Sequence, residues 1–283
     1  MHILVTGASG FVGRHVVRAL LERGHRVTVS ATRVDSFAYV EWYDQVTVVP
    51  YVFMPLTDQQ NLFDYFGNPD ALLHLAWQGL PNYKASFHID KNLFPHYYFL
   101  KNLIINGLKS ITVTGTCFEY GMQSGCLSET MPTVPANVYA LAKDSLRRFL
   151  EMVQTEQPFS LKWARLFYMY GPGQSPNSLL PLLERAVAAG EGVFNMSGGE
   201  QLRDYLPVET VVTYLCQIAE QTQIAGAINC CSGQPISVRR LVEDHLQTLN
   251  TRISLHLGYY PYPDYEPMAF WGDTTKLKLI TQQ

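Results

Sequence analysis

Apolar residues in the first 165 positions occur in two patterns, short continuous runs and stripes with helical spacing. The stripes predict helices that begin near Phe11, near residue 93 and after Val138. Strands that alternate with helices predict an α/β fold, a doubly wound parallel sheet of the Rossmann type covered on both faces. The short runs predict six strands, at residues 3–5, 26–29, 46–49, 71–75, 110–114 and 161–166.

The pattern changes from Gly171 onward, where short helical stripes alternate with loops rich in Gly, Pro, Ser and Asn. Residues 258–267 contain four Tyr and three Pro, and tyrosines this dense are typical of an ordered loop that packs or binds. The sequence therefore predicts a cofactor-binding domain and a smaller substrate-binding domain. We assign residues 1–166 and returning segments at about 205–235 to the first, and residues 167–204 and 236–283 to the second.

Composition narrows the class of partner. The chain has 283 residues and 47% hydrophobic residues, and its 21 Lys and Arg against 24 Asp and Glu give a net charge of −3. This balance offers no basic surface for nucleic acid. The sequence has no apolar run of 18 residues, and its N-terminus does not resemble a signal peptide, so we expect neither a membrane span nor secretion.

The five cysteines form no CxxC pair and no cluster with zinc spacing. Cys230 and Cys231 lie in an apolar run, at residues 226–233, that predicts another buried strand. We therefore expect buried, inert thiols, no metal site and a reducing, cytoplasmic setting.

Glycines at positions 7, 10 and 13 lie between the first predicted strand and the first predicted helix. In a dinucleotide site, Gly7 permits the tight turn, Gly10 lets the backbone approach the pyrophosphate, and Gly13 lets the helix pack against the strand. The amides and the dipole of the helix N-terminus then face the anion. We predict that this loop binds the cofactor through Gly7, Ser9, Gly10, Phe11, Val12 and Gly13.

The end of the second predicted strand bears on the choice of cofactor. NAD sites have an Asp or Glu there, which accepts hydrogen bonds from the ribose 2′-hydroxyl. This chain instead has Arg33, which is suited to a 2′-phosphate, so the sequence favours NADP(H). Asp35 lies two residues further on and keeps NAD open as the alternative.

Tyr139 and Lys143 open the predicted helix after Val138, and their spacing of four residues places them on one helix face. A neighbouring ammonium favours tyrosinate, so we expect Lys143 to lower the pKa of Tyr139 and to make it a usable proton donor or acceptor. The same helix carries an apolar stripe that we expect to be buried, made of Ala142, Leu146, Phe149, Leu150 and Val153.

With these motifs in place, the chain resembles the extended short-chain dehydrogenase/reductases, the NAD(P)-dependent epimerase/dehydratase family that acts on nucleotide sugars. The resemblance covers most of the chain. It rests on TGASGFVG at 6–13, HLAW at 74–77, GTCFEYG at 115–121, YALAK at 139–143, RLFYMYGPGQ at 165–174, GGEQLRDYLPVE at 198–209 and SVRRLVE at 237–243.

The resemblance implies a catalytic triad of Thr116, Tyr139 and Lys143. It implies further cofactor contacts from Leu75, Ala76, Trp77, Asn92 and Thr114, besides Tyr139 and Lys143. It implies substrate contacts from Thr116, Cys117, Phe118, Tyr168, Gln174, Leu180 and Arg203. It also implies a homodimer, formed through residues 93–108 and 139–153.

Departures from the family pattern bear on the reaction. The family's 4,6-dehydratases have Asp-Glu directly after the catalytic Thr, and its 3,5-epimerase-reductases have a Cys where this chain has Phe118. Cys117 and Phe118 therefore argue against both reactions. Ketone reduction and 4-epimerisation remain. Because the chain lacks the acidic ribose ligand, we favour an NADPH-dependent reductase that acts on the C4 ketone of a nucleotide-linked 4-keto-6-deoxyhexose. A 4-epimerase with tightly bound NAD is the alternative, and a non-catalytic NADP sensor is a third hypothesis.

Other departures affect the binding contacts. Tyr168 replaces an Asn that commonly contacts the diphosphate, and Pro55 replaces an Asp that contacts adenine, so we expect the backbone around Met54 and Leu56 to hold adenine instead. Two interpretations stay open. Arg203 either meets the diphosphate or pairs locally with Asp204. The tyrosines at positions 83, 168 and 259–265 either line the sugar pocket or form an aromatic core or rim.

Overall fold

The structure is a computed structural model, and it describes residues 1–33, 40–54 and 60–282. The predictions that concern Asp35, Pro55 and Leu56 lie outside the described residues.

The described residues form a parallel sheet of seven strands, in the order β11-β7-β5-β4-β1-β2-β3. The order reverses between β1 and β4, and in such sheets ligands bind in the crevice outside the carboxyl ends of the strands at this point. The predicted α/β class and doubly wound sheet are confirmed. The strands are β1 His2–Thr6, β2 Arg26–Ala31, β3 Thr47–Pro50, β4 Ala71–His74, β5 Ser110–Thr116, β7 Ser160–Leu166 and β11 Gly226–Cys230.

Helices cover both faces of this sheet because successive side chains of a strand point to opposite faces. Ile3 and Val5 of β1 pack in a core with α1 and α6, whereas Leu4 packs in a second core with α3 and α4. The helices are α1 Phe11–Glu22, α2 Leu62–Tyr65, α3 Phe94–Ile105, α4 Val138–Glu156, α5 Leu179–Ala188, α6 Val208–Glu220, α7 Val238–Thr248 and α8 Thr275–Thr281.

Two details of the helices differ from the prediction. The helix expected over residues 93–108 is α3, and a π-helical turn, His88–Leu93, precedes it. Of the predicted stripe on α4, Phe149 is exposed and packs edge-on against Tyr97, whereas the other four residues are buried. Phe149 follows Leu146 by three residues and directly precedes Leu150. This position places Phe149 at the margin of the buried helix face.

Three smaller sheets lie in the second part of the chain or join it to the first. They consist of β12 Pro235–Ser237, β10 Leu202–Pro207 and β8 Tyr168–Tyr170; of β13 Ser254–His256 and β9 Val193–Asn195; and of β14 Phe270–Gly272 and β6 Gly125–Leu127. A separate apolar core joins α5, α7 and β9. Strand β10 crosses the predicted boundary at residue 204, and β11 returns to the large sheet beside β7.

Two short 3-10 turns complete the described elements, Tyr43–Gln45 and Cys117–Tyr120. Among the described residues, no helix has the length and apolar character needed to cross a membrane. All five thiols are free; Cys126 is exposed, and the other four are buried as expected.

Candidate active site

The glycine-rich loop between β1 and α1 has the shape of a dinucleotide cradle. Gly7 has φ +73°, and a Cβ atom there would lie 2.7 Å from the amide nitrogen of Ala76. A Cβ on Gly13 would lie 2.2 Å from the carbonyl oxygen of Gly7, so only glycine lets α1 approach the strand this closely. Gly10 is the N-cap of α1, and no acidic residue occupies the first turn. This loop fits a pyrophosphate, because the amides at the start of a helix attract an anion.

The strand beside this loop carries the predicted HLAW segment. The amide of Ala76 donates to Thr6 Oγ1 at 3.3 Å, and Thr6 Oγ1 is hydrogen-bonded to His74 Nδ1 at 2.8 Å. These contacts fix Leu75, Ala76 and Trp77 directly after β4, at the carboxyl edge of the sheet. Arg33 lies at the corresponding end of β2 and is exposed.

Thr116 ends β5 and caps the 3-10 turn Cys117–Tyr120. Its Oγ1 accepts from the Phe118 amide, while Glu119 Oε1 accepts from the Thr116 amide at 2.9 Å. Glu119 is fully buried and also pairs with Arg165, whose Nε lies 2.7 Å from Glu119 Oε2. Thr116 is therefore held by a buried carboxylate.

Sequence reasoning did not single out Glu119, although the pattern Thr-x-x-Glu at 116–119 is the signature of a capping box. The signal was present in the sequence, and only its burial and its pairing with Arg165 required the structure.

Tyr139 and Lys143 lie in the first turns of α4, which Asn137 caps by accepting from the amide of Ala140 at 2.9 Å. Lys143 is buried, and its Nζ donates to the carbonyl oxygen of Thr114 at 2.8 Å. Lys143 Nζ also lies 4.1 Å from the centroid of the Trp77 ring. The predicted triad and two of its predicted cofactor neighbours, Thr114 and Trp77, are thus gathered at the ends of β4 and β5.

The protonation states differ from the expectation for a Tyr-Lys pair. Burial raises the pKa of Tyr139, with contributions from Tyr83 and Glu119, and a side-chain hydrogen bond with Thr116 opposes this rise. Burial lowers the pKa of Lys143 to about 7, and Glu119 acts in the opposite direction. The expected lowering of the Tyr139 pKa is wrong for the chain by itself, because burial disfavours the tyrosinate and the negative charge of Glu119 adds to this effect. Tyr139 is therefore a neutral phenol, which can donate a proton.

Aromatic side chains surround the other side of Tyr139. Tyr83 lies 5.7 Å from Tyr139 between ring centroids, and it also contacts Phe118 and Tyr265 at 5.1 and 5.7 Å. Of the tyrosine-rich segment, Tyr265 joins this cluster, whereas Tyr259 and Tyr260 are exposed.

Arg203 is buried next to this cluster and pairs with Glu266. Its Nε and Nη2 both donate to Glu266 Oε2, at 3.0 and 2.9 Å, and its guanidinium lies 4.7 Å from the centroid of Phe270. The local pairing with Asp204 is wrong, because Asp204 instead accepts from the amides of Ser232 and Gly233. No local pattern indicates Glu266 as the partner, because it is 63 residues from Arg203.

Tyr168 and Cys117 are the remaining predicted substrate residues in this region. The hydroxyl of Tyr168 is buried and has no hydrogen-bond partner among the described residues. Burial and the carboxylate of Glu266 raise its pKa. Burial also raises the pKa of the Cys117 thiol, so Cys117 is not a nucleophile here.

Not all of the residues predicted to contact cofactor or substrate lie in the cluster around Tyr139. Gln174 and Leu180 line a cleft of about 800 Å³ between α5, α7 and the segment 170–176, together with Glu184 and His245. Asn92 is buried, and its side-chain amide donates to the carbonyl oxygen of Gln78.

Three histidines, His74, His88 and His96, are close together near Trp77. His74 Nε2 is hydrogen-bonded to His96 Nδ1 at 2.8 Å, and His88 Nδ1 accepts from Trp77 Nε1 at 3.1 Å. Burial lowers the pKa of all three, that of His96 to about 3. No spacing rule predicts this cluster, because its members come from different elements. Among the described residues, no group of His, Cys, Asp and Glu is arranged to hold a metal ion.

The glycine cradle, the parallel sheet and the Thr116–Tyr139–Lys143 cluster define an enzyme of the extended short-chain dehydrogenase/reductase class. The sequence model of the NAD dependent epimerase/dehydratase family matches residues 3–231, and the chain belongs to this family.

Characterised proteins of related sequence carry out several reactions. The chain is 32% identical over 275 residues to dTDP-6-deoxy-L-talose 4-dehydrogenase (NAD(+)) of Aggregatibacter actinomycetemcomitans, and the alignment covers 96% of this chain and 99% of that protein. The chain is 25% identical over 308 residues to a UDP-glucose 4-epimerase of Halalkalibacterium halodurans, and that alignment covers 99% of this chain and 89% of the epimerase. The solved structure of MoeE5 in complex with UDP-glucuronic acid and NAD is 25% identical, with a TM-score of 0.81, and covers 99% of this chain and 92% of that one.

Proposed function

We propose that this protein reduces the C4 ketone of a nucleotide-linked 4-keto-6-deoxyhexose with a nicotinamide dinucleotide. The observation that carries the proposal is the buried Thr116–Tyr139–Lys143 cluster, in which Tyr139 is a neutral phenol at the carboxyl edge of the sheet. Reduction of a ketone requires a proton donor beside the reacting oxygen. A neutral phenol is the donor form.

The roles of the chain's residues follow from their positions. When bound, the dinucleotide supplies the hydride. Tyr139 donates a proton to the oxygen that becomes the C4 hydroxyl. The hydroxyl of Thr116 donates a hydrogen bond to the same oxygen and orients it. Lys143, held by Thr114, binds the nicotinamide ribose, and the loop of Gly7 to Gly13 holds the pyrophosphate.

The aromatic side chains around Tyr139 support a 6-deoxy sugar as the substrate. Tyr83, Phe118 and Tyr265 offer ring faces and edges that suit a methyl group at C6. The name of the Aggregatibacter relative agrees with a 6-deoxyhexose and with chemistry at C4, since 4-dehydrogenation is the reverse of ketone reduction.

For the nucleotide, we propose contacts from Arg203, Tyr168, Gln174 and Leu180. The buried hydroxyl of Tyr168 lies near the Glu266 carboxylate without a well-formed hydrogen bond, so it can bind a ligand at this position. Arg203 keeps its guanidinium beside Tyr168, at 5.9 Å from the ring centroid.

For the cofactor, we propose NADP(H), with NAD as the alternative. Arg33 at the end of β2 favours NADP(H), whereas the Aggregatibacter relative carries NAD(+) in its name and MoeE5 was solved with NAD. A comparison of NADPH with NADH as hydride donor decides between them.

A 4-epimerase is the second candidate, supported by the UDP-glucose 4-epimerase that matches 99% of the chain. An epimerase retains its cofactor and interconverts two nucleotide hexoses without net oxidation. The buried Tyr139 and Lys143 speak against a sensor without catalytic activity, because ligand sensing does not require a proton donor.

We also propose the division into a cofactor-binding domain of residues 1–166 and about 205–235 and a substrate-binding domain of residues 167–204 and 236–283, together with a cytoplasmic location and a homodimer. The dimer would use α3 and α4, whose outer faces expose Tyr98, Ile105, Leu141 and Met152, the last of these by 64%. An apolar surface of this kind is typical of an interface.

The test uses the purified protein with dTDP-, CDP- and GDP-linked 4-keto-6-deoxyhexoses. We expect oxidation of NADPH or NADH in proportion to the substrate consumed. If the protein instead copurifies with NAD and interconverts two nucleotide hexoses, it is an epimerase. If neither reaction occurs with any of these sugars, the proposal is wrong.

A further inference from the structure

Lys143 is a buried cation whose surroundings contain little negative charge. Its Nζ donates to the Thr114 carbonyl oxygen at 2.8 Å and lies 4.1 Å from the centroid of the Trp77 ring. An ammonium over an indole ring is attracted by the negative face of the ring, and this attraction is strongest where water is excluded.

The indole of Trp77 is fixed in position by its own partners. Its Nε1 donates to His88 Nδ1 at 3.1 Å, and His88 Nε2 is hydrogen-bonded to the carbonyl oxygen of Asn82 at 3.0 Å. A carbonyl oxygen only accepts, so His88 carries its proton on Nε2 and uses Nδ1 as the acceptor. His96 stacks on the indole at 5.1 Å between centroids. The ring under Lys143 is therefore locked by the π-helical turn and by α3.

The other charged and titratable groups around Lys143 do not stabilise its ammonium in place of the Trp77 ring. His74, His88 and His96 are kept neutral by burial, and any charge on them would repel Lys143. Tyr139 on the same helix is neutral. Glu119 favours the ammonium, but its carboxylate already pairs with Arg165 at 2.7 Å.

We propose that Trp77 is a positioning residue that acts through Lys143: its ring holds the Lys143 side chain as an ammonium at the place where the reaction needs it. The role of Lys143 in the reaction rests on the proposed function, whereas the contact itself does not. A cation–π contact that excludes water raises the pKa of a buried lysine by about one pH unit. Desolvation lowers the Lys143 pKa, so the Trp77 ring opposes the effect of burial.

The direct test is an NMR titration of protein whose lysines carry ¹³C at Cε, with the Lys143 signal assigned by Lys143→Arg. Trp77→Leu removes the ring face, Trp77→Phe keeps a weaker one, and Trp271→Leu makes the same change on β14, where Trp271 lies opposite Cys126 of β6. We expect the Lys143 pKa to fall by about one pH unit in Trp77→Leu and by less in Trp77→Phe. In Trp271→Leu it should not change.

The kinetic test is a double-mutant cycle with Lys143→Met. In Trp77→Leu, assayed at saturating cofactor, the loss of kcat with rising pH should begin about one pH unit lower than in the wild type. In the Lys143→Met background, the same substitution should produce no such shift of the pH profile, since the residue through which it acts is gone.

Three outcomes would overturn the inference. The first is a Lys143 pKa that is unchanged in both Trp77 variants. The second is an equal kinetic effect of Trp77→Leu in the wild-type and the Lys143→Met backgrounds. The third is the same Lys143 pKa in Trp77→Leu and Trp77→Phe. If Trp77→Leu does not fold, Trp77→Phe and Trp77→Tyr carry the titration, with the Tyr variant expected between Phe and the wild type. If the wild type turns over no nucleotide sugar, the proposed function fails while the titration still decides the role of Trp77.

Discussion

Two buried cations on either side of the candidate site are held in different ways. Lys143 rests on a ring and a carbonyl oxygen, and burial lowers its pKa to about 7. Arg203 rests on Phe270 and forms an ion pair with Glu266. Guanidinium keeps its charge at any ordinary pH, whereas a desolvated ammonium without a close carboxylate titrates near neutrality.

This difference in how the two cations are held suits Lys143 to proton chemistry and Arg203 to ligand recognition. The Lys143 side can change its charge during a reaction, and Tyr139 beside it can give up a proton. The Arg203 side provides a constant charge whose carboxylate partner, Glu266, is supplied by the chain itself. Four substitutions test the roles of these residues, in order of decreasing expected effect.

The largest effect is expected from Tyr139→Phe, which removes the proton donor and little else. We expect kcat for ketone reduction to fall by about 10²–10⁴-fold, the usual contribution of a positioned general acid. The midpoint of thermal unfolding should stay close to that of the wild type. Tyr260→Phe, which removes a hydroxyl from an exposed ring outside the Tyr139 cluster, is the matched control. Full turnover by Tyr139→Phe would rule out Tyr139 as the acid.

Arg203→Leu should have the next largest effect, on stability. It leaves the Glu266 carboxylate buried without its partner, and we expect the free energy of unfolding to fall by about 3–5 kcal/mol. The double variant Arg203→Leu/Glu266→Leu should recover part of this loss, because it removes both charges. Urea unfolding of the four proteins gives the coupling. A double variant no more stable than Arg203→Leu would show that the pair is not the cause.

Lys143→Met should change how stability depends on pH. Lys143 has a pKa of about 7 in the folded protein and 10.5 as its ordinary value. Between these values the unfolded chain holds a proton that the folded protein lacks, so the free energy of unfolding rises with pH, by at most about 1.4 kcal/mol per pH unit from this group. Urea unfolding at pH 7, 8 and 9 should give a flatter profile for Lys143→Met. Parallel profiles would contradict the depressed pKa of Lys143.

The smallest effect concerns Arg33, which belongs to neither buried cation site and is exposed. If Arg33 meets a 2′-phosphate, Arg33→Ala should lower the ratio of kcat/KM for NADPH over NADH by about tenfold, equivalent to one charge-assisted hydrogen bond. Arg239→Ala, on the surface of α7, should leave the ratio unchanged. A preference for NADPH that persists in Arg33→Ala would remove the case for Arg33.

Several site features could be predicted because they are local in the chain. The glycines of the cradle and the Tyr139–Lys143 spacing each depend on backbone conformation within one or two turns. The capping of Thr116 by Glu119 was equally local, and its sequence pattern was overlooked. The alternating apolar runs predicted the parallel sheet because buried strands have a characteristic length and composition.

Long-range partners could not be predicted in this way. Glu266 reaches Arg203 across 63 residues, and His96 reaches His74 across 22. The expectation for the Tyr139 pKa failed for a related reason. Spacing identifies a neighbouring cation, but only the fold determines how deeply both groups are buried.

The class of fold, the position of the cofactor loop and the Tyr139–Lys143 pair could thus be predicted from the amino-acid sequence, since these follow from periodicity and from short contacts along the chain, whereas Thr116 was implied by the resemblance to the family. The charge state of Tyr139, the support of Lys143 by Trp77 and the pairing of Arg203 with Glu266 depend on the folded molecule. Desolvation and ion pairing depend on which distant residues the fold packs around a group, and no local pattern in the chain encodes that arrangement.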